Sequence, residues 1–286
     1  MRKQFEIYHI NAFTKNPFEG NAAAVMFGDE LSEYQMQLIA NQTNYSETAF
    51  LCSSKKADHN LRWFTPCVEV DLCGHATIAS LHFLSEKKAI KDGTNLTFET
   101  KSGVLNCSIS KNEYSMQMPV FNVSELGKLK NDLISAYNIP ADIIDEDTPI
   151  LTLSNNYVFI KIKSYYKLVS YKPKIDTENY FIKKFPDLSL YTTETIEEES
   201  SSHQRFFAPG YGITEDPVTG SAAAFLALVL LKAGIVSEKT IRKSITIEQG
   251  DHLGKKGRVK VSFNPEKKNL EIKGNAVTFL KGSIFI

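Results

Sequence analysis

The amino-acid sequence predicts an α+β protein with two duplicated half-domains, each a β-barrel-like sheet wrapped round a central apolar helix. An internal repeat and two unusually apolar helices support this fold class. The predicted helix at residues 222–231 is apolar on all sides. The predicted helix at residues 76–84 is nearly as apolar, and its main polar residues are Ser80 and His82. A helix without a polar face must be enclosed on every side. Short alternating strands make up much of the remaining chain, so we expect them to surround these two helices.

The repeat indicates that the arrangement is built twice. Residues 62–66 and 205–209 both read Arg-aromatic-Phe-x-Pro, and each motif leads into a short loop that contains an Asp and a Gly. The loops, at 71–76 and 216–222, both end where a helix is predicted to begin. Paired alternating strands follow each helix, at 95–99 and 104–109 and again at 244–248 and 258–263. The shared order of residue types predicts duplication.

The other elements are predicted in chain order from alternation and from capping residues. Further strands are predicted at residues 5–10, 48–52, 115–118, 158–162 and 270–273. Outer helices are predicted at 31–42, after Asp29, and at 125–137, where Ser124 is a candidate N-cap. We expect these helices to cover the outside of the sheets.

The repeat also predicts the domain organisation of the 286-residue chain. The N-terminal half-domain is predicted to span residues 1–118, and the C-terminal half-domain residues 119–286. The last strand, at about 277–286, is a candidate to return to the N-terminal half.

Composition narrows the classes of partner. Lys plus Arg and Asp plus Glu number 33 each, so no global field attracts nucleic acid or an anionic membrane. The four cysteines form no CxxC pair and are too sparse for a disulfide scaffold. The N-terminal segment does not read as a signal peptide, and the longest apolar run, 222–231, is about half of a membrane span. We therefore expect a cytoplasmic protein without nucleic-acid or membrane partners.

The two loop-to-helix junctions are the first candidates for a functional site. Gly74-His75 and Gly220-Ser221 each stand at a predicted helix start, where backbone N–H groups lack partners within the helix. Together with the helix dipole, such groups bind anions. If the halves pack face to face, both junctions address one cleft. The expected partner is a small anionic substrate.

A proton-transfer site also needs an acid/base group, and the sequence offers several. Glu47 precedes an apolar strand, where burial would raise its pKa and suit it to acid/base work, but the residues alone favour the interpretation that Ser46 and Glu47 close the turn after the preceding helix. His75 could be catalytic or could cap its helix. Asp216 could line a cleft or cap its loop.

Two further residues beside the first junction have competing interpretations. Asp71 is expected to pair with Arg62 and hold the loop, rather than to act in catalysis. Cys73 next to His75 could be a thiol nucleophile, but the sequence shows no third group to orient the pair.

Seven sequence motifs occur in order along most of the chain. They are AFT, FEGN, AV, SETAF, RWFTP, EVDLCGHAT and EDPVTGSA, at residues 12–14, 18–21, 24–25, 46–50, 62–66, 69–77 and 215–222. In these motifs the chain resembles the PhzF family of phenazine-biosynthesis isomerases, which share the diaminopimelate-epimerase fold. The resemblance implies that Glu47 is the acid/base and that His75 and Asp216 help to position substrate and proton. It also implies substrate-binding roles for Ser46, Gly74, Gly220 and Ser221, no metal or organic cofactor, and a homodimer.

The positions of the cysteines distinguish two catalytic mechanisms known for enzymes of this fold. Its racemases use one cysteine from each half, but this chain has no cysteine after Cys107. We therefore predict a cofactor-independent isomerase in which the single carboxyl of Glu47 shifts a proton on a small cyclic or amino carboxylate. The alternative is a non-catalytic small-carboxylate binding protein of the same fold. A thiol enzyme that uses Cys73 is a third hypothesis.

Overall fold

The structure, a computed structural model, describes residues 2–154 and 156–286, so Met1 and Asn155 lie outside the description. Contacts between residues divide the chain into two compact units. Unit 1 contains the described residues up to Met118 together with Glu271–Ile286, and unit 2 contains Pro119–Leu270. The C-terminal segment therefore belongs with the first unit.

Unit 1 is a mixed sheet with one long buried helix. Its elements up to Met118 are β1 (Gln4–Ala12), β2 (Asn21–Phe27), α1 (Glu33–Thr43), β3 (Glu47–Cys52), β4 (His59–Phe64), β5 (Glu69–Val70), α2 (Gly74–Glu86), β6 (Asn95–Thr100), β7 (Gly103–Ser110) and β8 (Glu113–Met118). Strand β2 pairs antiparallel with β1 and parallel with β3, while β4 pairs antiparallel with β3 and parallel with β6.

Unit 2 has the same kinds of element in a similar order. They are β9 (Val123–Glu125), α3 (Lys130–Ala136), β10 (Leu151–Leu153), β11 (Tyr157–Lys161), α4 (Tyr165–Ser170), α5 (Tyr180–Lys184), β12 (Asp187–Thr192), β13 (Ser202–Ala208), β14 (Ile213–Asp216), α6 (Gly220–Lys232), α7 (Glu238–Lys243), β15 (Ile245–Gln249) and β16 (Gly257–Asn264). Strand β17 (Asn269–Gly274) crosses the unit boundary. Strand β18 (Ala276–Phe285) pairs antiparallel with β1 inside unit 1.

The pairing pattern of the two units is repeated. Strand β11 pairs antiparallel with β10 and parallel with β12, and β13 pairs antiparallel with β12 and parallel with β15. The registers match as well, because Arg62 lies opposite Phe50 in unit 1 and Arg205 lies opposite Leu190 in unit 2. The predicted fold class, with a sheet and a central apolar helix built twice, is confirmed.

Helix α2 is the central helix of unit 1 and contacts β1, β2, β3, β8 and β18. Its residues 74–81 are all buried. The polar groups in this helix have partners, since the Thr77 and Ser80 hydroxyls donate to the carbonyls of Cys73 and Ala76. Burying hydroxyls costs little when they are hydrogen-bonded in this way.

Helix α6 is the corresponding helix of unit 2. Gly220 and residues 222–230 are buried, and Ala222 packs against Phe206 and Ala208 of β13. Small alanine side chains let the helix approach the sheet closely. Within the described part of the chain, no helix combines the length and apolar character that crossing a bilayer requires.

One predicted helix start is wrong. Ser124 was expected to cap a helix, but it lies in β9 and pairs with Thr152 of β10, and α3 begins only at Lys130. The sheet ladder takes up the backbone of residues 123–125, so these residues are not available to a helix. Helix α1 has Ser32 as its N-cap, and Gln35 completes a capping box.

Candidate active site

Glu47 occupies the first position of β3. Helix α1 ends at Thr43, and Asn44 takes a left-handed conformation that turns the chain towards the strand. Residues 47–51 are all buried, which indicates a strand covered on both faces. The carboxyl group of Glu47 therefore stands at the end of a buried strand, and the residue is only 8% exposed.

Helices α2 and α6 begin without a side-chain cap. Their N-cap residues, Cys73 and Thr219, have extended backbones and make no capping hydrogen bond with their side chains. Helices α1, α4, α5 and α7 are capped in the usual way, by Ser32, Ser164, Asn179 and Ser237, whereas α3 also lacks a side-chain cap and has Leu129 at its N-cap position. The first-turn N–H groups of α2 and α6 are thus spared for another acceptor, as at an anion site.

At the start of α2, Glu47 and His75 form a buried ion pair. The distance between Glu47 Oε2 and His75 Nε2 is 3.1 Å. The Ser46 hydroxyl lies 3.3 Å from the same ring nitrogen and also donates to the carbonyl of Ala22. The pair joins the first residue of β3 to the second residue of α2.

This pairing determines the protonation of both groups. Burial alone would raise the pKa of Glu47, but the positive charge of His75, 3.1 Å away, lowers it below its ordinary value. Burial alone would lower the pKa of His75, but Cys73 and Glu47 raise it well above the usual value. These directions favour an ionised carboxyl group beside a protonated imidazole.

Cys73 is the third member of this cluster. Its Sγ lies 3.5 Å from Nδ1 of His75, so the imidazole bridges the thiol and the Glu47 carboxylate. The sequence showed no third group beside Cys73 and His75, and the structure supplies Glu47 in that position. Burial, together with the charge of Glu47, raises the pKa of the Cys73 thiol, so the thiol stays protonated and is a weak nucleophile.

The same three residues have the donor types of a metal site, with ligand atoms all within 4.8 Å of one another. However, the thiol and the carboxylate contact opposite nitrogens of the His75 ring. An ion bound to one nitrogen of the His75 ring would lie near only one of the other two groups, because the Cys73 thiol and the Glu47 carboxylate are on opposite sides of that ring. The geometry fits an ion pair with a neighbouring thiol better than it fits a metal centre.

The prediction that Asp71 pairs with Arg62 is wrong. The Arg62 guanidinium binds both carboxylate oxygens of Glu69, at 2.7 and 2.8 Å, and also contacts Glu33. Glu69 lies on β5 directly opposite Phe64, which brings its carboxylate to the guanidinium. Asp71 is exposed, and its carbonyl accepts a hydrogen bond from Ser102.

In unit 2, Asp216 ends β14 just before α6. Its carboxylate accepts a hydrogen bond from the Thr219 hydroxyl, which agrees with the interpretation that it caps the loop. Gln249 holds the same loop, since its amide donates to the Asp216 carbonyl at 2.7 Å and accepts from the Thr219 N–H at 2.9 Å. Gln204, itself hydrogen-bonded to Ser189, donates to Gln249 at 2.9 Å.

Gly220 and Ser221 are the first two residues of α6. The Ser221 hydroxyl is partly exposed and lies 3.4 Å from the hydroxyl of Tyr157 on β11. The ring of Tyr157 stacks on Phe206 with 5.7 Å between centroids and meets Phe225 edge-on. The phenol is thus held rigidly beside the helix start.

The structure therefore collects the predicted site residues at two helix starts. Ser46, Glu47, Gly74 and His75 come together at α2 in unit 1. Asp216, Gly220 and Ser221 come together at α6 in unit 2. Their catalytic and binding roles stay predictions.

Sequence reasoning missed the residues that support the second start. Tyr157 on β11 and Gln249 on β15 are distant in sequence from the loop at 216–219, and Gln204 lies on β13, the strand before β14. Of these, only Gln249 carried a sequence signal: it is a polar residue at the end of the apolar alternation in β15, directly before Gly250.

Comparison with solved structures defines the class of protein. A hydroxyproline epimerase from Agrobacterium vitis matches all of this chain and 94% of its own, with a TM-score of 0.62 at 11% identity, which shows the fold alone. The chain thus has the diaminopimelate-epimerase-like fold. A PhzF-family protein from Bacillus anthracis matches more closely, with a TM-score of 0.86, 28% identity, and 99% and 100% of the two chains covered.

The sequence comparisons identify the family. The family model PhzC-PhzF, described as phenazine biosynthesis-like protein, matches residues 10–282. The uncharacterized isomerase YfhB of Bacillus subtilis is 34% identical over 273 residues, which is 92% of each chain. The uncharacterized isomerase YddE of Escherichia coli is 32% identical over 95% of each. The chain belongs to the PhzF family and is an isomerase.

Proposed function

We propose that this isomerase shifts a proton on a small cyclic or amino carboxylate and that Glu47 is its single acid/base. The observation that carries the proposal is the buried Glu47–His75 pair, with 3.1 Å between Oε2 and Nε2, at the uncapped start of α2. A carboxylate that is buried yet ionised is a base placed next to a group of N–H donors suited to an anion.

The chemistry follows from these charges. The ionised Glu47 removes a proton from a carbon next to the conjugated system of the substrate, and the electron pair of that C–H bond moves into the system. The N–H groups at Gly74 and His75 stabilise the negative charge that develops. Glu47 then delivers a proton to a different carbon, so atoms and electrons balance without a second reactant. Exchange of the proton on Glu47 with solvent water between the two steps carries deuterium into the product in heavy water. His75 stays protonated and keeps Glu47 in place.

Substrate-binding roles for Asp216, Gly220 and Ser221 are part of this proposal. Their position at the start of α6, beside an uncapped N-terminus, supports them. The placement of the substrate between the two halves and the homodimer stay predictions from the sequence. Light scattering of the purified protein measures directly whether it is a homodimer.

The proposed function is tested by isotope exchange. Small cyclic and amino carboxylates are first screened for binding by thermal shift. Each bound compound is then incubated with the protein in heavy water, and deuterium uptake is followed by NMR. Uptake at a carbon-bound position supports the isomerase. Tight binding with no exchange for any bound compound would instead support the non-catalytic alternative.

Replacing Cys73 separates the acid/base mechanism from a thiol mechanism. We expect Cys73→Ser to keep deuterium exchange within about fivefold of the wild type, because the thiol is protonated and lies on the far side of His75 from Glu47. Cys67→Ser, at an exposed cysteine, is the matched control. A loss as large as that of a Glu47 variant would make Cys73 the reacting group.

Replacing His75 should move the pH dependence of the reaction. In His75→Gln the cation that lowers the pKa of Glu47 is gone, and burial then raises that pKa. Since the free enzyme must carry an ionised Glu47, the acidic limb of kcat/KM should move to higher pH by roughly one unit or more. An acidic limb that stays in place would show that His75 does not set the charge of Glu47.

A further inference from the structure

Asp187 occupies in unit 2 the position that Glu47 occupies in unit 1. Glu47 begins β3 opposite Ala23, one residue before the β3–β4 pair Thr48–Phe64. Asp187 begins β12 opposite Tyr157, one residue before the corresponding pair, which joins Leu188 to Phe207. The repeat therefore places a carboxyl group at the same register in both sheets, each time at the first residue of a buried strand.

Asp187 lies on the side of the sheet that carries α6. Leu188 points the opposite way, into the apolar cluster that contains Leu133 and Phe207. Asp187 alternates with Leu188 and pairs with Tyr157, whose hydroxyl contacts Ser221 in the first turn of α6. The carboxyl group thus belongs to the neighbourhood of the α6 start.

The Asp187 carboxyl group has no hydrogen-bond or ion-pair partner among residues 2–154 and 156–286, although the residue is only 4% exposed. The two phenols that feel its charge are engaged elsewhere. The Tyr137 hydroxyl donates to the carbonyl of Phe185, and the Tyr157 hydroxyl pairs with Ser221. Burial raises the pKa of Asp187 to about 7. A buried carboxyl group without a partner is costly, so its retention calls for an explanation.

A positively charged group on a bound ligand would explain why a buried carboxyl group is kept at position 187. The first-turn N–H groups of α6 favour a carboxylate, whereas no cation of residues 2–154 and 156–286 pairs with Asp187. A charge-assisted hydrogen bond to an ammonium group would satisfy the carboxylate and favour its ionised form. A molecule with both a carboxylate and an ammonium group matches the two features together.

We propose that Asp187, beside Tyr157 and Ser221 at the start of α6, is a specificity-determining residue that binds the ammonium group of an amino carboxylate. This inference rests on the proposed function in taking the small carboxylate bound at α6 to be the isomerase substrate. Asp187 would then select amino carboxylates over carboxylates without an amine.

The test compares matched compounds by isothermal titration calorimetry. The pairs are 2-aminocyclohexanecarboxylate with cyclohexanecarboxylate, and L-proline with tetrahydrofuran-2-carboxylate. We expect the wild type to bind the amine of at least one pair about tenfold more tightly or better. Asp187→Asn should reduce that preference to about threefold or less. Asp147→Asn, at an exposed carboxyl group of the same unit, should leave it unchanged.

Folding of the Asp187 variant is checked by urea unfolding. Its midpoint should equal or exceed that of the wild type, since an amide replaces a buried carboxyl group that no cation in the described part of the chain compensates. The proposal is overturned if the wild type shows no amine preference in either pair. Failure of all four compounds to bind at millimolar concentration counts as such a result. It is also overturned if folded Asp187→Asn keeps the preference.

The proposed function fails separately from this inference. Glu47→Gln should lose proton exchange and keep the amine preference, because Asp187 is intact in that variant. A wild type that prefers amines through Asp187 but exchanges no proton on any of them would support the ammonium site and contradict the isomerase mechanism at Glu47.

Discussion

Glu47→Gln is expected to reduce deuterium incorporation into a turned-over carboxylate by about a thousandfold or more, with ligand affinity nearly intact. An amide cannot take up the proton, and general acid/base catalysis by one group contributes about a hundredfold to ten thousandfold. Glutamine keeps the size of the side chain and its contact distance to His75, which is 3.1 Å in the wild type. The loss should therefore fall on kcat.

Two companion variants make this result specific. Glu47→Asp retains a carboxyl group that is one methylene shorter, and it should exchange faster than Glu47→Gln but slower than the wild type. Glu30→Gln changes an exposed carboxyl group of the same unit and should exchange normally. Circular dichroism shows whether each variant is folded. Unchanged turnover in folded Glu47→Gln would reject Glu47 as the acid/base.

Arg205→Met is expected to reduce the free energy of unfolding by about 3–5 kcal/mol, the range for breaking a buried ion pair. Arg205 is only 3% exposed, and its guanidinium binds both carboxylate oxygens of Glu215 at 2.8 and 2.7 Å. It also donates to the carbonyls of Leu168 and Tyr171 at 2.8 and 2.7 Å. Methionine fills the space but leaves Glu215 and two carbonyls without this donor.

The effect should appear as a lower midpoint in urea unfolding at neutral pH. It should shrink on acidification, since burial would raise the pKa of Glu215 but Arg205 and His252 hold it at about 2. A group with a depressed pKa contributes stability above its unfolded pKa and loses it as the pH falls towards 2. Arg242→Met, at an exposed ion pair, should change little. Equal midpoints for the two variants would contradict the role of Arg205.

The fold was largely predictable because its signals are local or repeated. Segment 222–231 has no polar face wherever it is placed, so its enclosure follows from composition alone. The order Arg-aromatic-Phe-x-Pro and then Asp and Gly, seen twice, predicted a duplicated fold, and in the structure the parallel pairing of β4 with β6 recurs in that of β13 with β15. The prediction that Ser124 caps a helix was wrong because the residue type of an N-cap does not show whether its backbone is paired in a sheet, as that of Ser124 is.

The residues of the candidate site could be predicted from the sequence, but the contacts between them could not. Glu47, His75 and Cys73 were each singled out by the sequence, yet their order, with the imidazole between thiol and carboxylate, is a property of the folded chain. Arg62 illustrates the same limit. Two acidic residues lie within reach in sequence, and strand pairing at β5 selects Glu69 over Asp71.

The sequence by itself determined the repeated fold, the family and the two helix starts, because each depends on residue type and order. The choice of a carboxyl group over paired thiols stays a prediction from the same residues. Tertiary structure alone decided which groups touch. Ser46 and His75 are 29 positions apart, and only the packing of β3 against α2 brings them to 3.3 Å. It likewise decided that Asp187 is buried without a partner among the described residues, since solvation and charge depend on distance in space and not on distance along the chain.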